Sequence, residues 1–112
     1  MLNSCNFTGR FAADPMYFEG ENSRAVFTLA VDRDRKNADG NYDTDFLDFV
    51  AWNGTADFVN KWFHKGDQAT VSNARAQVRM YTDDEGVKHR RVEFACDKVY
   101  FGMKKRDSSS DE

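Results

Sequence analysis

Two large aromatic side chains, Phe46 and Trp52, are predicted to lie on the outward face of one β-strand. Residues 44–52 alternate so that Leu47 and Phe49 belong to an apolar inner face, while both rings fall on the opposite face. At about 3.3 Å per residue, the two side chains stand roughly 20 Å apart along the strand. Exposed rings can stack on any nucleobase, at about 1–3 kcal/mol per base, so this face favours a surface for single-stranded nucleic acid. The alternative is a face that packs on a partner subunit or on a helix.

A second predicted strand, residues 68–81, combines positive charge with a ring on one of its faces. The apolar face comprises Ala74, Ala76, Val78 and Met80, and the opposite face comprises Arg75, Gln77, Arg79 and Tyr81. The second of these faces can neutralise phosphates and stack a base at the same time. The alternative, here and for the charged segments below, is an ordinary solvated surface.

Further cations lie in or beside predicted loops, where they could extend a basic binding surface. We predict phosphate contacts for Arg33, Arg35, Lys36, Lys88, Arg90 and Arg91. The chain has a net charge of −3, but residues 107–112 hold three acids and no base. The rest of the chain is therefore neutral, and segregated charges can still give it a basic groove.

No catalytic, metal or cofactor site is predicted, and the sequence favours a binding protein over an enzyme. Cys5, Cys96, His64 and His89 match no zinc spacing, and we expect both thiols to be reduced. The sequence contains no glycine loop for phosphates, no apolar run that could cross a bilayer and no signal peptide. These features predict a cytoplasmic protein with no membrane partner.

Five strands and one helix must position the candidate residues within a chain of 112 residues, which suits one domain with one core. The predicted strands are residues 3–12, 24–33, 44–52, 68–81 and 88–101, with a polar connection at 16–23. Residues 55–65 change to a helical period. An all-β chain with one helix, in the order βββαββ, predicts a five-stranded OB-fold barrel. We assign residues 1–103 to this domain and 104–112 to a short charged tail.

Several stretches of the chain, in order, resemble the bacterial and phage single-stranded DNA-binding protein family over about residues 2–101. They are Gly9-Arg10-Phe11 with Asp14-Pro15, Phe27-Thr28-Leu29-Ala30-Val31, Thr44-Asp45-Phe46 through Trp52, Lys65-Gly66 after the helix, and Arg79-Met80-Tyr81-Thr82-Asp83. The resemblance implies an OB fold and binding of single-stranded DNA with little sequence preference. It also implies stacking on Phe46, Trp52 and Tyr81, and basic contacts from Arg10, Lys65 and Arg79.

The same resemblance implies a role in DNA replication, recombination or repair, and a homo-oligomer, either a tetramer or a dimer. The protein would act at the nucleoid, or in the host cytoplasm if a phage encodes it. Two departures from the family pattern matter. Arg35 stands where the family often has an aromatic residue, and Ser110-Asp111-Glu112 lacks an apolar anchor, so recruitment of partners through a C-terminal tip is not expected.

Two other functions fit the same sequence. One is an OB-fold protein-interaction module of a replication or primosome complex, in which the exposed rings pack on protein. The other is an RNA-binding OB module, because nothing in the sequence separates recognition of a 2′-hydroxyl from its absence.

Overall fold

A computed structural model describes residues 1–102 of the chain. The predicted tail, residues 104–112, lies outside the described residues, so the domain boundary stays a prediction. The elements are β1 (Cys5–Phe11), β2 (Met16–Phe18), β3 (Arg24–Lys36), β4 (Tyr42–Trp52), α1 (Asn53–Trp62), β5 (Gln68–Thr82), β6 (Lys88–Ala95) and β7 (Lys98–Phe101).

Five of the strands close into a ring. Their order is β1-β3-β4-β6-β5, and β5 pairs again with β1, so no edge is left between these five strands. The β4–β6 pair is parallel, and the other pairs of the ring are antiparallel. The short strands β2 and β7 add to β3 and β5. This closed sheet with one helix confirms the predicted OB-type fold class.

Alternating apolar residues fill the inside of the ring, as period-two patterning requires. Phe27, Leu29 and Phe49 are buried, and the burial of Phe49 confirms the inner face predicted for residues 44–52. The ring of Phe27 stacks on Phe11 at 4.8 Å and on Phe49 at 5.3 Å between centroids. Buried Val59 of α1 belongs to the same core cluster, so the helix packs against the barrel interior.

The structure differs from the predicted elements in four places. Residues 88–101 form two strands rather than one, because the Cys96 N–H donates to the Val50 carbonyl and the chain then pairs with the first half of β5. Residues 16–18 form a strand too short for alternation to reveal. Residues 34–36, which follow the predicted end of the second strand, extend β3. The helix ends at Trp62 rather than residue 65, because Phe63 turns extended and enters the core.

Two smaller features bear on chemistry. Burial raises the pKa of the Cys96 thiol to about 12, which keeps the sulfur protonated at neutral pH.

Residues 1–102 contain no group of three or more His, Cys, Asp or Glu side chains arranged to hold a metal ion. Within the same range, no helix has the length and apolar character needed to cross a membrane.

Candidate nucleic-acid interface

Phe46 lies at one end of a cross-strand row on the outside of the barrel. Arg10, Ala30 and Phe46 are consecutive partners across β1, β3 and β4. Because neighbouring strands are about 4.8 Å apart, Arg10 and Phe46 are separated by roughly 10 Å across the sheet. The small Ala30 side chain between them leaves the Phe46 ring 66% exposed. The structure therefore places one predicted stacking residue beside one predicted phosphate contact.

Trp52 ends β4, and its position is set by the turn that begins the helix. Asn53 adopts a φ of 54°, and its N–H donates to the Ser23 carbonyl at 2.7 Å, so the chain turns immediately after the ring. Asp57 of α1 links the helix to β2 and to the start of β3, because it accepts hydrogen bonds from the hydroxyls of Tyr17 and Ser23. Those two bonds, the Tyr17 bond first, lower the pKa of Asp57 and keep it ionised. Trp52 remains 46% exposed.

Cations from β5 and β6 reach the same outer surface. Arg79 and Arg91 are direct partners in the β5–β6 hairpin, and both line a depression together with Val26, Asp48 and Glu93. Arg91 Nε contacts Asp48 Oδ2 at 2.8 Å, whereas no hydrogen bond or ion pair of Arg79 is found within residues 1–102. Arg79 is therefore free to bind an anion above this depression.

Tyr81 lies near the end of the same hairpin, with one face of its ring covered. His89 stacks on Tyr81 at 5.1 Å between centroids, and His89 Nε2 is 2.7 Å from Asp83 Oδ2. Asp83 also accepts backbone N–H bonds from Glu85 and Val87. The His89 contact, more than these backbone bonds, lowers the pKa of Asp83. The Tyr81 ring is therefore held by a histidine for which the sequence predicted no role beyond matching no zinc spacing.

The predicted cations do not all gather on one surface. Arg75 alternates with Arg79 and shares its face of β5, whereas Lys88 and Arg90 pair with Thr82 and Met80 and point to the opposite face of the hairpin. Lys65 adjoins Gly66, whose carbonyl accepts a bond from Arg10 Nη1 at 3.3 Å. The structure thus places Arg10, Arg75, Arg79 and Arg91 on the outer surface of the barrel, apart from Lys88 and Arg90, while exposed Lys65 lies in the loop between α1 and β5.

The cations of the β3–β4 hairpin differ in the contacts that they already make within the protein. Arg33 makes a bidentate ion pair with Asp45, through Nε at 3.1 Å and Nη2 at 3.0 Å, and this pair lowers the pKa of Asp45. Lys36 lies over the Tyr42 ring, 5.9 Å from its centroid. Arg35 is exposed. A phosphate at Arg33 must therefore compete with a carboxylate that already holds the guanidinium.

Two residues beside Trp52 were not predicted from the sequence. Phe18, Arg24 and Trp52 are consecutive partners across β2, β3 and β4, and Phe18 is 42% exposed. The guanidinium carbon of Arg24 lies 4.5 Å from the Phe18 ring centroid and 5.9 Å from that of Trp52. The sequence signal for Phe18 was the apolar run Met16-Tyr17-Phe18. A run of three residues is too short to show the alternation that predicts a strand.

Comparisons with known proteins agree with this geometry. The model of the single-strand binding protein family matches residues 2–102. A protein of Staphylococcus aureus strain COL named single-stranded DNA-binding protein 1 is 40% identical over 103 residues, which cover 90% of this chain and 61% of that protein. A protein of the same name from Streptococcus pyogenes serotype M18 is 30% identical over 112 residues, which cover 98% of this chain and 85% of that protein.

The extent of these matches decides what they establish. The chain spans about three fifths of the length of the first Staphylococcus aureus relatives, so the similarity concerns the barrel rather than their whole length. The family match, in contrast, covers nearly all of the residues that form the closed sheet and its outer surface. The chain belongs to the single-strand binding protein family.

Proposed function

We propose that this protein binds single-stranded DNA with little sequence preference. The observation that supports the proposal most strongly is the exposure of Phe46 and Trp52 on the outer face of β4, beside cations of neighbouring strands. Bases would stack on the rings, and phosphates would pair with cations such as Arg79 and Arg10. Stacking reads the π-face common to all bases, which explains tolerance of sequence.

The proposal includes protection of exposed single strands during replication, recombination or repair. It requires no bond to be made or broken, and it assigns no catalytic residue, which agrees with a family of binding proteins. We infer that the protein acts in the cytoplasm, at the nucleoid or in the host cytoplasm if a phage encodes it. The names of the curated relatives support single-stranded DNA as the ligand.

Fluorescence of Trp52 is expected to be quenched when poly-dT binds, because a base stacks on its indole. The chain has only two tryptophans, and Trp62 lies on the helix, so Trp62→Phe leaves Trp52 as the single reporter. The affinity is expected to fall with salt at a slope of about −0.7 per phosphate contacted. Titrations of the Trp62→Phe variant with poly-dT at several salt concentrations measure both effects.

Duplex DNA and poly-rU of matched length serve as the controls for this titration. Weak duplex binding is expected, since paired bases cannot stack on protein rings. Absence of both quenching and binding by poly-dT would remove the proposal and favour a protein-interaction module on the same barrel. Tighter binding of poly-rU than of poly-dT would instead assign the surface to RNA.

We propose further that the protein is a homo-oligomer, a dimer or a tetramer. The support comes from the part of the β5–β6 hairpin that extends beyond the core. Val78 and Val92 are direct partners there, and with Met80 they form an exposed apolar strip on the hairpin face that also carries Arg90, the partner of Met80. The sequence analysis expected this continuation of the Ala74 face to be apolar, but only its first half reaches the core. A second copy of the chain would cover the remainder.

Val78→Glu is expected to reduce the mass of the protein in solution to that of a smaller assembly, because it places a charge on the apolar hairpin face. Sedimentation equilibrium of the parent and the variant measures the change. Val78→Ile, which keeps the apolar surface, serves as the control and should retain the parent mass. A monomeric parent, or a Val78→Glu variant that keeps the parent mass, would contradict the proposed interface.

A further inference from the structure

We propose that Phe18 and Arg24 form a nucleotide subsite beside Trp52, in which Phe18 stacks on a base and Arg24 binds the adjoining phosphate. The inference rests on the proposed function and extends it to two residues that neither the sequence pattern nor the family match assigns. The observations that carry it are the row of three partners across β2, β3 and β4 and the state of the Arg24 guanidinium.

The row has the dimensions of a continuous stacking surface. Phe18 and Trp52 flank Arg24, and two strand spacings of about 4.8 Å separate their backbones by roughly 10 Å. Both rings are partly exposed, at 42% and 46%, on the outer face that also carries Phe46. A strand that crosses Phe46 and Trp52 can therefore continue over Arg24 to Phe18.

The backbone that carries Phe18 is held in place by specific bonds. Tyr17, its neighbour in β2, points to the other side and donates its hydroxyl to Asp57 of the helix. Ser23, the residue before Arg24, is buried and also donates to Asp57, at 2.9 Å. This anchoring fixes both Phe18 and Arg24 before a ligand arrives, which reduces the conformational entropy lost on binding.

Arg24 differs from Arg33 and Arg91, and resembles Arg79, in that no ion pair is found for it within residues 1–102. Arg33 is paired with Asp45, and Arg91 is paired with Asp48. Within residues 1–102, by contrast, the contacts found for the Arg24 guanidinium are the two aromatic rings, and its Nε is buried with no hydrogen-bond partner. A phosphate is the anion whose geometry matches the guanidinium fork, and the rings on both sides suit the attached base.

Phe18→Ala is expected to weaken binding of a dT oligonucleotide by about 5- to 150-fold, the loss that corresponds to one stacked base. Arg24→Met keeps an unbranched apolar chain between the rings but removes the charge and the donors. It is expected to reduce the slope of log K against log salt by about 0.7, which corresponds to one phosphate. Fluorescence anisotropy of a labelled oligonucleotide, at several salt concentrations, measures both quantities.

Two control variants match the changes without touching the row. Trp62→Ala removes an exposed ring from the helix, and Lys61→Met removes one positive charge from the same helix. Both are expected to bind like the parent. Phe18→Leu adds a variant that keeps apolar bulk but lacks a π-face, so it should bind weakly if stacking is the cause. It also keeps the test usable if Phe18→Ala fails to fold.

The outcomes separate this proposal from the proposed function. If Phe18→Leu and Arg24→Met bind with the affinity and salt slope of the parent while Trp52→Ala binds weakly, the subsite is wrong and DNA binding stands. If the parent protein binds no oligonucleotide, the proposed function itself is wrong. If Phe18→Leu lowers the mass of the assembly and leaves DNA affinity unchanged, a second copy of the chain covers the row, and the subsite is also wrong.

Discussion

Phe46→Ala is expected to weaken binding of single-stranded DNA by about 1–3 kcal/mol, the contribution of one stacked base. Its effect on the free energy of unfolding should stay within about 0.5 kcal/mol, because an exposed side chain away from special features contributes little. Phe46 is 66% exposed, and its neighbour across β3 is the small Ala30. No ring within residues 1–102 was found to stack on it. The Phe46 ring is therefore available to a base, because it is exposed and no neighbouring ring in the part of the chain that the structure describes occupies its faces.

Anisotropy of a labelled dT oligonucleotide measures the loss, and urea unfolding of the same samples measures stability. Trp62→Ala is the matched control, because it removes a ring of comparable exposure from the helix. Equal affinity of Phe46→Ala and the parent would show that β4 does not present a stacking surface. A large loss of stability in Phe46→Ala would show that the ring belongs to the structure rather than to the binding face.

The sequence was most informative where one strand alternates over many residues. Residues 44–52 predicted which side chains of β4 point inward and which point outward, and the burial of Phe49 and exposure of Phe46 follow that prediction. Period-two patterning is enough for this assignment, because successive side chains of a strand lie on opposite faces. The fold class followed from the order of such strands and one helix.

The sequence was less informative where a position depends on a distant partner. Phe18 and Trp52 are 34 residues apart in the chain, and only the pairing of β2 and β4 with β3 brings them to one row. The basic run at residues 88–91 likewise could not be divided between faces, because that division depends on pairing with β5. Local composition predicts that such residues are charged, but cross-strand register decides which surface they share.

The pairing of charges has a consequence for how DNA must bind. Arg33 and Arg91 each hold a carboxylate, from Asp45 and Asp48, so a phosphate there gains less than at an unpaired cation. The Arg33–Asp45 pair is exposed on both sides, and exposed ion pairs contribute little on their own, whereas Asp48 of the Arg91 pair is only 26% exposed. A phosphate can therefore displace Asp45 from Arg33 at small cost. No hydrogen bond or ion pair of Arg79 is found within residues 1–102, so a phosphate there displaces no paired carboxylate, and we expect Arg79 to contribute more than Arg33 or Arg91 to phosphate binding.

Phe49→Ala is expected to have the largest effect on stability, lowering the free energy of unfolding by about 3–5 kcal/mol. Phe49 is fully buried, and its ring contacts Phe7 at 5.3 Å, Phe27 at 5.3 Å and Phe94 at 5.4 Å between centroids. Truncation would remove contacts with three other rings at once. The closed sheet limits how far the surrounding strands can move inward, so much of the cavity would remain.

Urea unfolding of the parent, Phe49→Ala and Phe46→Ala measures this effect with an internal comparison. The two variants delete the same ring from the same strand, three residues apart, on opposite faces. The free energy of unfolding of an ordinary domain is about 5–15 kcal/mol. Phe49→Ala should therefore unfold at a much lower urea concentration than the parent, and Phe46→Ala at about the same concentration as the parent. Equal destabilisation by the two changes would mean that the faces of β4 are assigned wrongly. A stable Phe49→Ala variant would mean that the interior of the barrel is packed far more loosely than its ring contacts indicate.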